Sequence, residues 1–290
     1  DVVFYEMTSA YDTIGNFGSL ELKGATVVPN GRDSAILNST YLYSDDSQVP
    51  VVLKVEDEDV VAGKVIIDLD ETVHPQTGTV NKSNPVVTVS AGSFESIAAT
   101  GEDKTLVGGV TGGTFTFEVP EGLCAEGFIP TKTEGGYGVK VGEYVVEMTV
   151  NGETTKYESI NEAVAAAPVD TYANGKAGVA AQKAVIKLLK DTQGGFDVGV
   201  ETGSLATWKI QNIEIDLNNK TLMLGEPLVG STGTKTSGIR VLAYSDLKIS
   251  NGMIFGETAL RGLQNYGDTV IEDVILVDMT SAYDTIGNFG

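Results

Sequence analysis

Residues 247 to 254 read LKISNGMI, and the rule inside those letters recurs along the chain. Its core is six positions: apolar, any residue, a small or Asn-like residue, any residue, usually Ser or Thr, apolar. Ile249 to Ile254 (ISNGMI) states it, and Leu22 to Val27 (LKGATV), Val89 to Phe94 (VSAGSF), Val110 to Phe115 (VTGGTF), Leu217 to Leu222 (LNNKTL) and Ile271 to Leu276 (IEDVIL) take the same register. Positions 89 and 110 lie 21 residues apart and positions 249 and 271 lie 22 apart, so the unit is about 22 residues. A fixed period of this size marks an architecture in which each repeat buries its apolar face only against its neighbours.

The third position of the rule holds Gly24, Ala91, Gly112, Asn219, Asn251 and Asp273. Five of these six are the residue types that best tolerate left-handed backbone angles, which predicts a ladder of tight corners. A second column places Phe17, Tyr244 and Tyr266 just before a strand start, at a spacing that stacks aromatic rings along the repeat axis. Asn16 and Asn38, beside Ile14 and Ile36, form a further pair 22 residues apart. Such columns read first as internal ladders, because stacked rings and amides pack and satisfy successive repeats.

Leucine-rich repeats and parallel β-helices both have periods near this length. The first would put Asn three positions after its last strand leucine, whereas Asn251 follows Ile249 by two and Asn219 follows Leu217 by two. No helix signal separates the repeats. The expected fold is therefore all-β, a right-handed parallel β-helix built as a single-stranded solenoid of roughly 22-residue rungs, stacked ~4.8 Å apart.

The middle of the chain interrupts this pattern. YVVEMTVNGETTKY, residues 144 to 157, sets Asn151-Gly152 between two strands, the strongest short hairpin signal. Ser159 then stands three before Glu162 in SINEAVAAA, a capping box that opens a short helix ended by Pro168. A small hairpin-plus-helix cap inserted mid-chain is the expectation. Upstream, residues 112 to 141 pass from a last rung into Gly-rich, turn-rich sequence.

The phrases GGTFTFEVPEGLCAEGF, YGVKVG, TKYESINEAVAAA, AVIKLLKD and IEIDLNNKTL together resemble the right-handed parallel β-helix repeat modules of large secreted or cell-wall-attached adhesin-like proteins of gut Firmicutes. The resemblance covers nearly all of the chain, and its motifs are structural. It implies an extracellular location on a Gram-positive cell surface and carries over no catalytic residue.

One further repeat is far longer. MTSAYDTIGNFG occupies residues 7 to 18 and again residues 279 to 290, a period of 272. The flanks, DVVFYE before the first copy and DVILVD before the second, share a pattern but differ in letters, which favours duplication. The chain then reads as an internal segment: residues 1–142 as the C-terminal half of one module with its end cap, and residues 143–290 as the cap and N-terminal half of the next. Neighbouring copies joined head to tail are the partner this organisation implies.

Composition narrows the rest. The chain has 290 residues, 19 basic against 40 acidic, for a net charge of −21, and its arginines are Arg32, Arg240 and Arg261. Such a surface repels phosphate backbones and anionic headgroups, so nucleic acid is not an expected partner. No apolar run is long enough to insert this segment in a membrane. Cys124 and His74 are the sole residues of their types, which excludes a disulfide framework and a thiolate metal site. Cys124 reads most simply as a small buried hydrophobe.

A Ser-His-Asp arrangement would have to use His74, which lies in the turn-like ETVHPQTG without a nucleophile elbow anywhere. The acidic runs Glu56 to Asp59 and Asp68 to Glu71 would have to supply any lyase-type calcium site, but strand alternation sends successive side chains to opposite faces. Their simpler reading is outward charge that discourages edge pairing. No cofactor motif is present: the Gly-Gly pairs lack both a phosphate-loop lysine and a dinucleotide fingerprint. Tyr41 and Tyr43, in a segment that reads as an inserted loop, are the candidate ligand contacts, with Trp208 and Tyr172 as further aromatics. The expected function is a noncatalytic structural repeat module of an extracellular β-helical stalk, fibre or adhesin. The alternatives are a glycan-binding adhesin module, with host or bacterial glycans or proteins as partners, and a β-helix polysaccharide lyase, hydrolase or phage fibre.

Overall fold

Strands one repeat apart pair in parallel and in register. The computed structural model describes residues 2–7, 12–29, 34–41, 48–171, 182–202, 208–230, 235–256, 261–277 and 285–289. It is a mostly β chain with parallel sheets, divided into two units, Asp1–Glu143 and Tyr144–Gly290.

In the first unit the strands Ser19–Leu22, Val52–Val55, Val86–Val89 and Val107–Val110 form one parallel sheet. Leu22, Val55, Val89 and Val110 share one register position and all are buried. One residue back, Glu21 and Lys54 point outward and pair at 3.2 Å, as strand alternation requires. A second sheet runs through Ala25–Pro29, Val61–Asp68, Ser93–Thr100 and Thr114–Phe115. Val27, Ala62, Phe94 and Phe115 align there, and the two phenyl rings stack at 5.2 Å.

The repeat is not uniform. Val89 and Val110 pair 21 residues apart, but Leu22 to Val55 spans 33 and Val55 to Val89 spans 34. Extra residues leave the sheets between aligned positions. One such insertion carries the short antiparallel pair Thr72–Val73 and Val80–Asn81. The unit closes on an antiparallel hairpin, Phe128–Thr133 with Gly136–Val141, which meets the parallel sheet through Phe115 and Tyr137. Reversing strand direction there ends the parallel stack.

The second unit opens with the hairpin Val146–Val150 and Glu153–Tyr157. Asn151 and Gly152 both have positive φ, 52° and 86°, as a two-residue turn matched to strand twist demands. The helix Ile160–Ala166 follows, with Ser159 Oγ accepting the Glu162 N–H at 3.1 Å. Its buried Ile160, Ala163 and Val164 join the core. The hairpin strand Val146–Val150 pairs antiparallel with Lys183–Leu188, which begins a parallel succession through Asn212–Asp216, Asp246–Phe255 and Asp268–Val277. Ile186, Ile215, Ile249 and Ile271 share one column of it. A second parallel sheet contains Phe196–Val198, Ser237–Val241, Arg261–Asn265 and Ile286–Asn288.

The corners divide into two kinds. Gly24, Asn219, Asn251 and Asp273 have φ of 52°, 58°, 61° and 53°. Ala91 and Gly112 do not occupy the left-handed region; Gly92 and Gly113, one residue later, do, at 97° and 93°. The reason is steric: alanine pays for that conformation and the following glycine does not. Gly112 is needed for space instead, because a Cβ there would collide with the Ser90 carbonyl.

Candidate functional site

The most developed concave site lies on the outward face of the sheet containing Ser237–Val241. Every residue of that strand is buried, an unusual pattern for a sheet whose other face already holds the core. Ile239 and Val241 face inward with Phe196 and Val198, so Arg240 must face out. It is nevertheless only 6% exposed, because the segments around Glu201 and Leu228 and the helix Ile160–Ala166 wall a groove of about 700 Å³ above it.

Arg240 is held by a planar fork. Its Nε and Nη2 donate to Asp197 Oδ1 and Oδ2, each at 2.8 Å, and Nη1 donates to Glu201 Oε2 at 3.0 Å. Asp197 is its register partner on the neighbouring strand, so the bidentate pair also ties two repeats together. The hydrogen bond to Asp197 is the main reason the guanidinium pKa is raised further above its ordinary value. On the groove wall, Asn161 Nδ2 donates to the Gly195 carbonyl. Two carboxylates, one guanidinium and apolar surface from Phe196 and Leu228 suit a neutral, hydroxyl-bearing ligand better than an anion. Sequence reading counts Arg240 among three arginines but assigns it no role. The usable signal is a lone arginine at an outward strand position, SGIRV, in an acidic chain.

The predicted aromatic column has ring contacts in both units. Tyr266 and Phe289 stack at 5.3 Å, and Phe289 is the second-copy equivalent of Phe17. Phe17 itself meets Tyr41 edge-on at 5.9 Å. Tyr41 is 54% exposed, but that ring contact makes it another member of the column. Tyr244 sits at φ 69°, with its side chain 44% exposed. Tyr43 and Tyr172 lie outside the described residues; Trp208 is half-buried.

Amides run alongside. Asn16 Nδ2 donates to Asn38 Oδ1 at 2.5 Å, and Asn265 Nδ2 donates to Asn288 Oδ1 at 3.0 Å. Asn16 and Asn265 each use their own Oδ1 to accept the N–H two residues on, at 3.2 Å. Asn38 is fully buried and its Nδ2 has no partner among the described residues. The next repeat presents Ile67 at that register position, which cannot accept a hydrogen bond.

The residues weighed for chemistry have structural partners. His74 Nδ1 accepts the N–H groups of Gln76 and Thr77 in its turn. Asp57 accepts the Gly24 N–H at 3.0 Å and the Asp59 N–H at 2.9 Å, so it braces a corner. Asp216 does the same with Asn218 N–H and the Asn251 amide. Lys104, which sequence reading passes over, is buried; its Nζ donates to Thr40 Oγ1 and the Asp70 carbonyl, and burial lowers its pKa. Cys124 is half-buried, and desolvation first, then the Glu121 charge, pushes its thiol up to about 11. A thiol so shifted is a poor nucleophile near neutrality. Among the described residues no group of three or more His, Cys, Asp or Glu side chains converges on a metal position, and no helix is long and apolar enough to cross a membrane. Comparison with family models, curated proteins and solved structures finds no match for this chain.

Proposed function

We propose that this chain is a noncatalytic structural repeat module of an extracellular β-helical stalk, fibre or adhesin of a Gram-positive surface. In this reading its parallel sheets are the walls of a right-handed β-helix, closed at one end by the antiparallel hairpin 128–141 and at the other by the hairpin and helix 146–166. The observation that carries it is the pairing of strands a repeat apart, with apolar, amide and aromatic columns in the same register. Side chains that sequence reading weighed for catalysis brace corners and turns instead.

A 272-residue module with one cap at each end would contain about eight stacked parallel strands, or roughly 40 Å of axial rise plus the caps. Electron microscopy of the native protein tests this. Thin fibres with one such axial repeat per module are the expected result, and compact particles would overturn the stalk.

The groove over Arg240 favours a second reading, a glycan-binding module. It predicts saturable retention on a glycan array that is lost on filling the groove with Leu228→Trp. Retention unaffected by that change would remove the groove from the reading, and an array without retention would remove the reading itself.

A further inference from the structure

The tripeptide Ile-Gly-Asn forms a strand twice, as Ile14–Asn16 and as Ile286–Asn288. The two copies are paired from opposite sides. Ile286, Gly287 and Asn288 lie against Leu263, Gln264 and Asn265, 23 residues earlier. Ile14, Gly15 and Asn16 lie against Ile36, Leu37 and Asn38, 22 residues later. A strand inside a parallel sheet has one edge toward the preceding neighbour and one toward the following neighbour. The same sequence is therefore seen from both edges.

The strand before it behaves alike. Val274, Ile275 and Leu276 pair with Gly252, Met253 and Ile254 on one edge. Their equivalents Val2, Val3 and Phe4 pair with Ala25, Thr26 and Val27 on the other. Residues 1–18 and 273–290 agree at 14 of 18 positions. Side chains carry the same continuity: the amide of Asn265 donates to Asn288, and that of Asn16, the equivalent of Asn288, donates to Asn38. Tyr266 stacks on Phe289, and Phe17, the equivalent of Phe289, meets Tyr41.

We infer that the edge formed by Gly252–Phe255 and Leu263–Asn265 is a binding site for residues 1–18 of a second copy of this chain, filled within one chain by residues 273–290. The incoming strands Val2–Phe4 and Ile14–Asn16 already carry their own following neighbours, Ala25–Val27 and Ile36–Asn38, on their far edge. Exchanging one near-identical segment for the other keeps every pairing at the site and extends both sheets into the next copy. The resident segment leaves its far edge open: Ile275 is 62% exposed and no residue of Asp268–Val277 is buried. Joining therefore covers apolar surface that the single chain leaves in water, against the cost of association, and it depends on concentration. The site deepens the stalk reading by naming the joint, and it rests on that reading only for its biological setting.

The test is binding of a fluorescein-labelled peptide of residues 1–18 to the full chain, followed by anisotropy. Saturable binding is expected, competed by unlabelled peptide 273–290 and at least tenfold weaker for a scrambled peptide. A chain ending at residue 272 should bind the peptide at least tenfold more tightly. Alone, it should give a concentration-dependent series of head-to-tail species in sedimentation velocity, which excess peptide ends. Should that truncation not fold, Leu276→Ser with Ile286→Ser in the full chain loosens the resident segment and should tighten peptide binding about tenfold. Folded variants that bind no peptide, or bind it no better than the scrambled control, would overturn the site. Fibres in micrographs without peptide binding would sink this joint and leave the stalk standing; peptide binding by a protein that forms only compact particles would do the reverse.

Discussion

Asn16 and Asn288 sit at the same place in two copies of one twelve-residue sequence, yet the first is buried and the second is exposed. Both are the last residue of a three-residue strand, and both join an amide pair one repeat away. Strand and register thus follow the local letters. Burial follows the neighbours: Asn16 has Asn38 and the Val52 carbonyl against it, whereas no described repeat follows Asn288.

The strongest challenge to that contrast comes from Arg240, whose surroundings are complete. Arg240→Ala leaves the half-buried Asp197 without its fork and should cost about 3–5 kcal/mol in urea denaturation, as breaking a buried pair does. A loss under ~1 kcal/mol would mean that the groove is wet and the pair behaves as a surface one. The amide pair itself comes next. Asn16→Leu removes donors to Asn38 and Val52 and the acceptor of the Gly18 N–H, and should cost about 2–3 kcal/mol. The same change at Asn288 should stay within ~0.5 kcal/mol. Equal losses would show that the second copy is covered in solution, as the exchange joint would cover it.

The smallest effect concerns pH. Asp246 and Asp268 are register partners on adjacent strands, and burial, with the Asp268 charge second, raises the Asp246 pKa. A carboxyl whose folded pKa exceeds its unfolded value favours the folded state below the unfolded pKa and loses that benefit as pH rises through the folded one. Asp246→Asn should therefore raise the urea midpoint at pH 7, with the gain shrinking as pH falls toward the ordinary carboxylate range. A gain that does not change with pH would point to a cause other than charge.

Much of the architecture was readable because it is periodic or local. The apolar column Ile186, Ile215, Ile249 and Ile271 repeats a pattern that any single repeat displays. The Asn151-Gly152 turn and the Ser159 cap need only neighbouring residues. The corner rule misses by one residue at Ala91 and Gly112, since a glycine one position later takes the strained angle more cheaply. Tyr41 looked like a loop residue available to a ligand, and its ring contact with Phe17 reaches across 24 positions that no periodic rule links.

By itself, then, the sequence determined which residues alternate inward, where the backbone turns, and that residues 1–18 and 273–290 are interchangeable in pattern. These are properties of short segments, and backbone sterics with strand alternation convert them directly into geometry. Only the tertiary structure decided which outward positions are covered. Arg240 meets Asp197, 43 residues earlier, beneath a wall contributed by a helix and separate loops, and Asn38 is left with an unmet buried donor because the following repeat offers Ile67. Outward burial is the sum of what distant segments lay over a strand, and no single repeat encodes that sum.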